Sequence, residues 1–134
     1  MIKKTATLIA VLLIIGAVTA LAGDKTEAKH ADFEGTLVCL GCDLKNAEDA
    51  RSACSVFGHT HALKTDDGKY INFLENQYST DLLDGGKYHN KDVKVHGIYH
   101  ASANLLDVET FSVDGKSKNW CSHCKTMDSC MAGK

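Results

Sequence analysis

A short segment of the chain, residues 39–61, is dense in sulfur and imidazole side chains. A Cys-x-x-Cys pair is followed by a third cysteine and then by two histidines, so that the segment holds Cys39, Cys42, Cys54, His59 and His61. Thiolates and imidazoles are the usual ligands of zinc, and thiolates also suit Cu(I). The segment therefore predicts a copper or zinc ion as cofactor, with Cys39, Cys42, Cys54 and His59 as first-choice ligands and His61 as the alternate.

A second group of sulfurs lies near the C-terminus. Its cysteines form a weaker predicted ligand set, namely Cys121, Cys124 and Cys130. Two nearby methionines, Met127 and Met131, favour copper because a thioether is a soft ligand. Alternatively, this end of the chain is knotted by disulfides or disordered, or it folds back to donate Cys121 and Cys124 to the same ion or to form disulfides with the first group.

Two other interpretations of the cysteines stay open. All six lie after residue 22, and an even number of cysteines in an exported chain is typical of a disulfide framework. A Cys42–Cys54 or Cys39–Cys54 disulfide would staple the first strand to the next helix, in a barrel that binds a small ligand or a partner protein. A thiol-disulfide oxidoreductase is the third interpretation, because the Cys-x-x-Cys pair precedes a predicted helix. Neither Cys-x-x-Cys pair is followed by the histidine that covalent haem attachment requires.

Residues 1–22 have the pattern of a secretory signal peptide. Lys3 and Lys4 precede an apolar stretch, and Ala20-Leu21-Ala22 is a cleavage signal. We therefore expect a bacterial periplasmic or secreted protein that keeps no membrane anchor after cleavage. Cleavage would change the formal net charge from −2 to −4, because it removes two lysines and no acid. An acidic surface argues against nucleic acid and anionic membranes as partners.

The remaining residues predict one domain with short strands. Residues 23–32 are expected to be a flexible leader, 33–115 an all-β barrel domain, and 116–134 a cysteine-rich tail. Alternating apolar residues and turn signals predict five strands and two short helices. The strands are predicted at 33–40, 61–65, 70–74, 92–100 and 105–113, and the helices at 43–54, with Asp43 as N-cap, and 79–83.

These elements predict a small five-stranded barrel of the OB type, with a short helix after the first strand. Asp67-Gly68 supplies a hairpin turn, and Gly97 would let the fourth strand bend at a barrel corner. His96 and His100 share a face of that strand and are expected at the surface.

Short motifs along residues 33–113 resemble a group of exported bacterial OB-fold-like domains that is largely uncharacterised. The resemblance implies a fold and a compartment but no reaction, and Cys42 and Cys54 match the cysteine pattern of the group. The matching motifs are Gly35-Thr36-Leu37-Val38, Cys42, Cys54, Gly58, Ala62-Leu63, Asp67-Gly68-Lys69-Tyr70 and Val93-Lys94-Val95-His96-Gly97.

The sequence contains no catalytic arrangement that stands out. No Ser-His-Asp order, phosphate loop or carboxylate pair is apparent, so an enzyme is not expected. The favoured hypothesis is an exported protein that binds a metal ion for sequestration, delivery or structural stability. Its expected partners are the metal ion itself and a periplasmic protein.

Overall fold

The computed structural model describes residues 29–84 and 86–128. The predicted signal peptide, Cys130 and Met131 lie outside these residues. No helix within residues 29–84 and 86–128 is long and apolar enough to cross a membrane. The strands are β1 (Lys29–Cys39), β2 (His61–Thr65), β3 (Tyr70–Phe73), β4 (Asp92–His100), β5 (Leu105–Val113), β6 (Lys116–Lys118), β7 (Trp120–Cys121) and β8 (Thr126–Met127), and the helices are α1 (Leu40–Glu48), α2 (Cys54–Phe57) and α3 (Thr80–Asp84).

Five strands close into a barrel, which confirms the predicted all-β, OB-like fold. The strand order is β3-β2-β1-β4-β5, and a parallel pairing between β3 and β5 closes the sheet on itself. The long β1 strand lies between β2 and β4. Its residues 29–36 pair with β4, and its residues 35–39 pair with β2. β6 adds a sixth strand along β5.

The barrel interior is filled by the apolar side chains that alternate along these strands. Burial of such side chains stabilises a fold by about 25 cal/mol per Å² of apolar surface. The tail residues Trp120 and Met127 pack against the same core. Met127 is therefore a buried core residue and does not present its thioether to a metal. The buried core comprises Leu37, Leu63, Ile71, Phe73, Leu82, Tyr88, Val93, Val95, Leu106, Val108, Phe111, Val113 and Met127.

The predicted bounds of β2, β4 and β5 are confirmed, whereas the start of the domain differs. β1 begins at Lys29, so residues 29–32 of the predicted leader are strand. The predicted single helix at 43–54 is wrong. α1 begins at Leu40, directly after β1, and ends before Asp49, which adopts a left-handed conformation. Asp43 thus lies inside the first turn of α1 and is not its N-cap.

Candidate metal centre

Four side chains converge where the chain leaves β1 and returns to β2. Cys39 ends β1, Cys42 lies in the first turn of α1, Cys54 begins α2, and His59 precedes β2. One ligand atom from each of these residues lies within 4.8 Å of the others. These are the four first-choice ligands predicted from the sequence. Such a group could hold a metal ion.

The spacing of the ligand atoms fits a tetrahedral ion. Cys39 Sγ lies 3.6 Å from Cys54 Sγ. His59 Nδ1 lies 3.2 Å from Cys39 Sγ and 3.6 Å from Cys42 Sγ. Typical zinc bond lengths give tetrahedral edges of about 3.8 Å between two sulfurs and about 3.6 Å between sulfur and nitrogen. A disulfide needs about 2.05 Å between its sulfurs, and all three of these cysteines are free thiols.

Gly41 allows the two cysteine-bearing segments to approach each other. A β-carbon at Gly41 would lie 2.2 Å from Ser52 Oγ and 2.8 Å from Cys54 Sγ. Both distances are too short for a real contact, so a larger residue would force the side chains of Ser52 and Cys54 to move. The ends of the loop are also joined, because the Leu40 N–H donates to the Thr60 carbonyl at 2.9 Å. The close packing at Gly41 and the hydrogen bond from Leu40 to Thr60 together hold the loop that carries the ligands.

The thiols of Cys42 and Cys54 do not ionise alike. Hydrogen bonds with Cys39 and then Cys54, together with burial, raise the pKa of Cys42 to about 12. The Ser52 hydroxyl lies 2.9 Å from Cys54 Sγ, and this hydrogen bond lowers the pKa of Cys54. Cys54 therefore loses its proton more readily than the neighbouring thiol of Cys42, which keeps its proton. A cation between the sulfurs would displace that proton, because metal-bound cysteine is a thiolate.

Asp43 fastens the start of α1 to the barrel. Its carboxylate accepts hydrogen bonds from Lys64 Nζ at 2.8 Å and from the Tyr70 hydroxyl at 2.5 Å. Lys64 first, and then Tyr70, lower the pKa of Asp43. Since Cys42 immediately precedes Asp43, the ion pair also fixes the position of one candidate ligand. The roles of Asp43 and Ser52 at the site were not predicted from the sequence, because both depend on contacts made only in the folded chain.

We expect Asp43→Asn to lower the free energy of unfolding by about 1 kcal/mol at pH 7, in the range of a partly exposed ion pair. The folded-state pKa of Asp43 lies below the ordinary 3.8. Its stabilising effect is therefore present above pH 3.8 and is lost as the pH falls through the lower, folded-state pKa. Urea unfolding at a series of pH values should show the variant and wild type converging in acid. Asp66→Asn, in the exposed β2–β3 turn, is the control, and an equal loss there would contradict the assignment.

His61, the alternate ligand, lies outside the four-residue group. Its Nδ1–H donates to the Leu83 carbonyl at 3.2 Å, and its ring centroid is 6.5 Å from that of His59. His61 is only 5% exposed, and burial lowers its pKa. It therefore serves as a neutral packing residue between β2 and α3, beside the ring of His89.

Among the predicted tail ligands, Cys121 and Cys124 do not join the group either. Cys121 is disulfide-bonded and so offers no thiolate to a metal ion. The Cys124 N–H donates to Cys121 Sγ at 3.2 Å, within the turn that links β7 and β8. Cys130 lies outside the described residues, so a metal role for it stays a prediction.

The four-residue group is open to solvent on one side. A cleft of about 270 Å³ leads to it, and Cys42, Cys54 and His59 all line that cleft. Two apolar side chains beside the site are unusually exposed, Val56 at 73% and Phe57 at 87%. An ion held here could therefore enter and leave without opening the barrel.

Comparison with known proteins gives no relative for this chain. No protein-family model matches it, and neither a curated protein nor a solved structure matches it. Inference about function therefore depends on the fold and on the geometry of the four-residue group.

Proposed function

We propose that this chain is an exported, non-enzymatic protein that binds one zinc or copper(I) ion through Cys39, Cys42, Cys54 and His59. The observation that supports the proposal is the convergence of four soft or borderline ligand atoms within 4.8 Å. Three thiolates and one imidazole form a Cys₃His set, a common structural zinc arrangement. Zinc is therefore the favoured ion, and copper(I) is the second candidate because thiolates also select it.

Delivery or sequestration fits the site better than a purely structural role. A shell of four protein ligands also suits a structural ion, but here a cleft reaches Cys42 and Cys54, so a bound ion would be accessible from solvent. The exposed Val56 and Phe57 lie on α2, next to that opening, and give a periplasmic protein partner an apolar surface to contact during transfer. Export is proposed from the signal-peptide pattern and from the resemblance to exported bacterial OB-fold-like domains.

The decisive experiment is elemental analysis combined with native mass spectrometry on protein purified from the periplasm without added metal. We expect one zinc or copper ion per chain. We also expect three thiols that react with a thiol reagent only slowly until a chelator removes the ion. A metal-free protein in which Cys39 or Cys42 is bonded to Cys54 would reject the proposal and favour the disulfide-stapled barrel.

Oxidation gives a second test, because Cys39 Sγ and Cys54 Sγ are only 3.6 Å apart. In the metal-free protein, diamide should oxidise these two thiols to a disulfide, the diamide taking up the two electrons and two protons. Bound metal should slow this reaction by at least about tenfold, because coordinated sulfur is a poorer nucleophile. Mass spectrometry after alkylation follows the reaction. Equal rates with and without metal would count against coordination by these sulfurs.

The same proximity is the observation that favours the oxidoreductase alternative. A disulfide that forms easily between Cys39 and Cys54 would also exchange with substrate thiols, and the lowered pKa of Cys54 would assist its attack. Insulin reduction by the metal-free protein, with Cys54→Ser as the control, separates the two functions. Turnover that depends on Cys54 would favour redox exchange, and its absence would leave metal binding.

A further inference from the structure

We propose a second cation site on the outer wall of the barrel, formed by His30, His96 and Glu109. One ligand atom from each of these side chains lies within 4.8 Å of the others. Two imidazoles and one carboxylate suit a divalent transition metal such as zinc, cobalt or nickel, and none of the three ligands is sulfur. The site is thus chemically distinct from the thiol group at the end of β1.

The three ligands come from three neighbouring strands. His30 lies on β1, His96 on β4 and Glu109 on β5. In the antiparallel pairing of β1 with β4, Asp32 lies opposite His96. His30 is two residues from Asp32 and therefore projects from the same, outer face of the sheet. The strand register alone thus brings the two histidines together.

Glu109 lies on the same face, beside a β-bulge in β5. His96 pairs with Thr110, whereas the next residue, Gly97, pairs with Val108, so Glu109 is an extra residue in β5. Val108 is buried, and the following two residues both face outward. Glu109 follows the buried Val108 in the ordinary alternation, and the bulge keeps Thr110 outward as well before Phe111 returns to the core. Bulges of this kind re-aim single side chains and are frequent beside functional sites.

The distances fit coordination by one ion. Glu109 Oε2 lies 3.2 Å from His30 Nδ1 and 3.6 Å from His96 Nε2. Metal–ligand bonds of about 2.0–2.1 Å give tetrahedral edges of about 3.3 Å. The two imidazole rings are stacked, with centroids 5.6 Å apart and planes 15° from parallel. A small shift of exposed side chains would then place an ion between the three ligand atoms.

Asp32 acts as a positioning residue for His96. The Nδ1–H of His96 donates to Asp32 Oδ1 at 2.9 Å, which leaves the Nε2 lone pair facing Glu109. A carboxylate that holds the far nitrogen of a histidine is a frequent feature of zinc sites, because it fixes the tautomer and the ring orientation. Asp32 and His96 also border a groove of about 510 Å³, and the side chains of His30 and Glu109 are 59% and 42% exposed, so the site is accessible to water.

Cobalt(II) titration of the full, reduced chain tests the second site separately from the first. We expect two equivalents to bind, of which only one produces thiolate-to-cobalt charge-transfer absorption. The His30→Gln/Glu109→Gln variant should bind one equivalent and keep that absorption. His100→Gln, on the same face of β4, is the matched control and should bind two. A wild type with no sulfur-independent equivalent, or a double variant that retains it, would overturn the proposal.

Substitution of Asp32 gives a second test of the proposed site, in which all three ligands stay in place. We expect Asp32→Ala to weaken the sulfur-independent equivalent by about 10–100-fold, the usual effect of losing such a carboxylate, and to leave the thiol site unchanged. Asp32→Glu should restore part of the affinity. NMR of the histidine ring protons during zinc titration should show His30 and His96 responding together. An Asp32→Ala variant with wild-type affinity at both sites would remove Asp32 from the second site.

Discussion

Replacement of Cys42 by serine should weaken binding of the tightest metal equivalent by at least about 100-fold. Loss of an outer-shell partner alone commonly costs about 10–100-fold in metal affinity, and Cys42 is proposed as a direct ligand. A serine hydroxyl is a hard, protonated group that cannot replace a thiolate for zinc or copper(I). Cys42 is also only half-buried in the first turn of α1, so serine should fit without disturbing the core.

Competition with a chelator of known affinity measures the loss, and circular dichroism checks that the barrel remains folded. Cys124→Ser is the matched control, because Cys124 is an exposed cysteine in the separate turn between β7 and β8. This control variant should bind its tightest metal ion with the same affinity as the wild type. If Cys124→Ser removed that equivalent and Cys42→Ser did not, the metal would belong to the tail and the proposed function would fail.

The sequence was a good guide to the barrel because its signals are local. Strands β2, β4 and β5 have the predicted bounds, since turn residues such as Asp67-Gly68 mark where strands end. The set Cys39, Cys42, Cys54 and His59 was also predicted as a unit. Its members lie within 21 residues of each other, and the antiparallel return from β1 to β2 brings the two ends of that segment together.

The choice between His59 and His61 could not be made from the sequence. Both imidazoles lie at compatible spacing, and only the tertiary structure gives His61 a hydrogen-bond partner, the Leu83 carbonyl on α3. The start of α1 was missed for a related reason. Asp43 has the residue type of an N-cap, but its ion pair with Lys64 uses the carboxylate elsewhere, and the helix begins three residues earlier.

The second cluster was missed because its members are far apart in the sequence. His30, His96 and Glu109 meet only through the registers of three strands and one bulge. One local signal was present: in β5 the apolar alternation through Leu106 and Val108 changes phase before Phe111 and Val113. A phase change inside a predicted strand indicates a bulge, and the residues at the change are those that acquire a new direction.

Gly97→Ala should lower the free energy of unfolding by about 3 kcal/mol. A β-carbon at Gly97 would lie 2.0 Å from the Asp107 carbonyl oxygen and 2.9 Å from its carbonyl carbon. Overpacking usually costs about 1–3 kcal/mol, and the upper end applies because the obstructing atoms are backbone and cannot rotate away. A loss of this size is a large fraction of the total stability of a small domain, about 5–15 kcal/mol.

Urea unfolding should show a lower midpoint with an unchanged slope, which indicates a change in stability rather than in the unfolded chain. Gly86→Ala is the control, because the nearest atom to its added β-carbon is 3.8 Å away. Gly97 also adjoins His96 and the bulge next to Glu109, so separation of β4 from β5 should weaken the second site more than the thiol site. If Gly97→Ala were as stable as Gly86→Ala, the close approach of β4 and β5 would be wrong, and with it the strand register that places Glu109 beside His96.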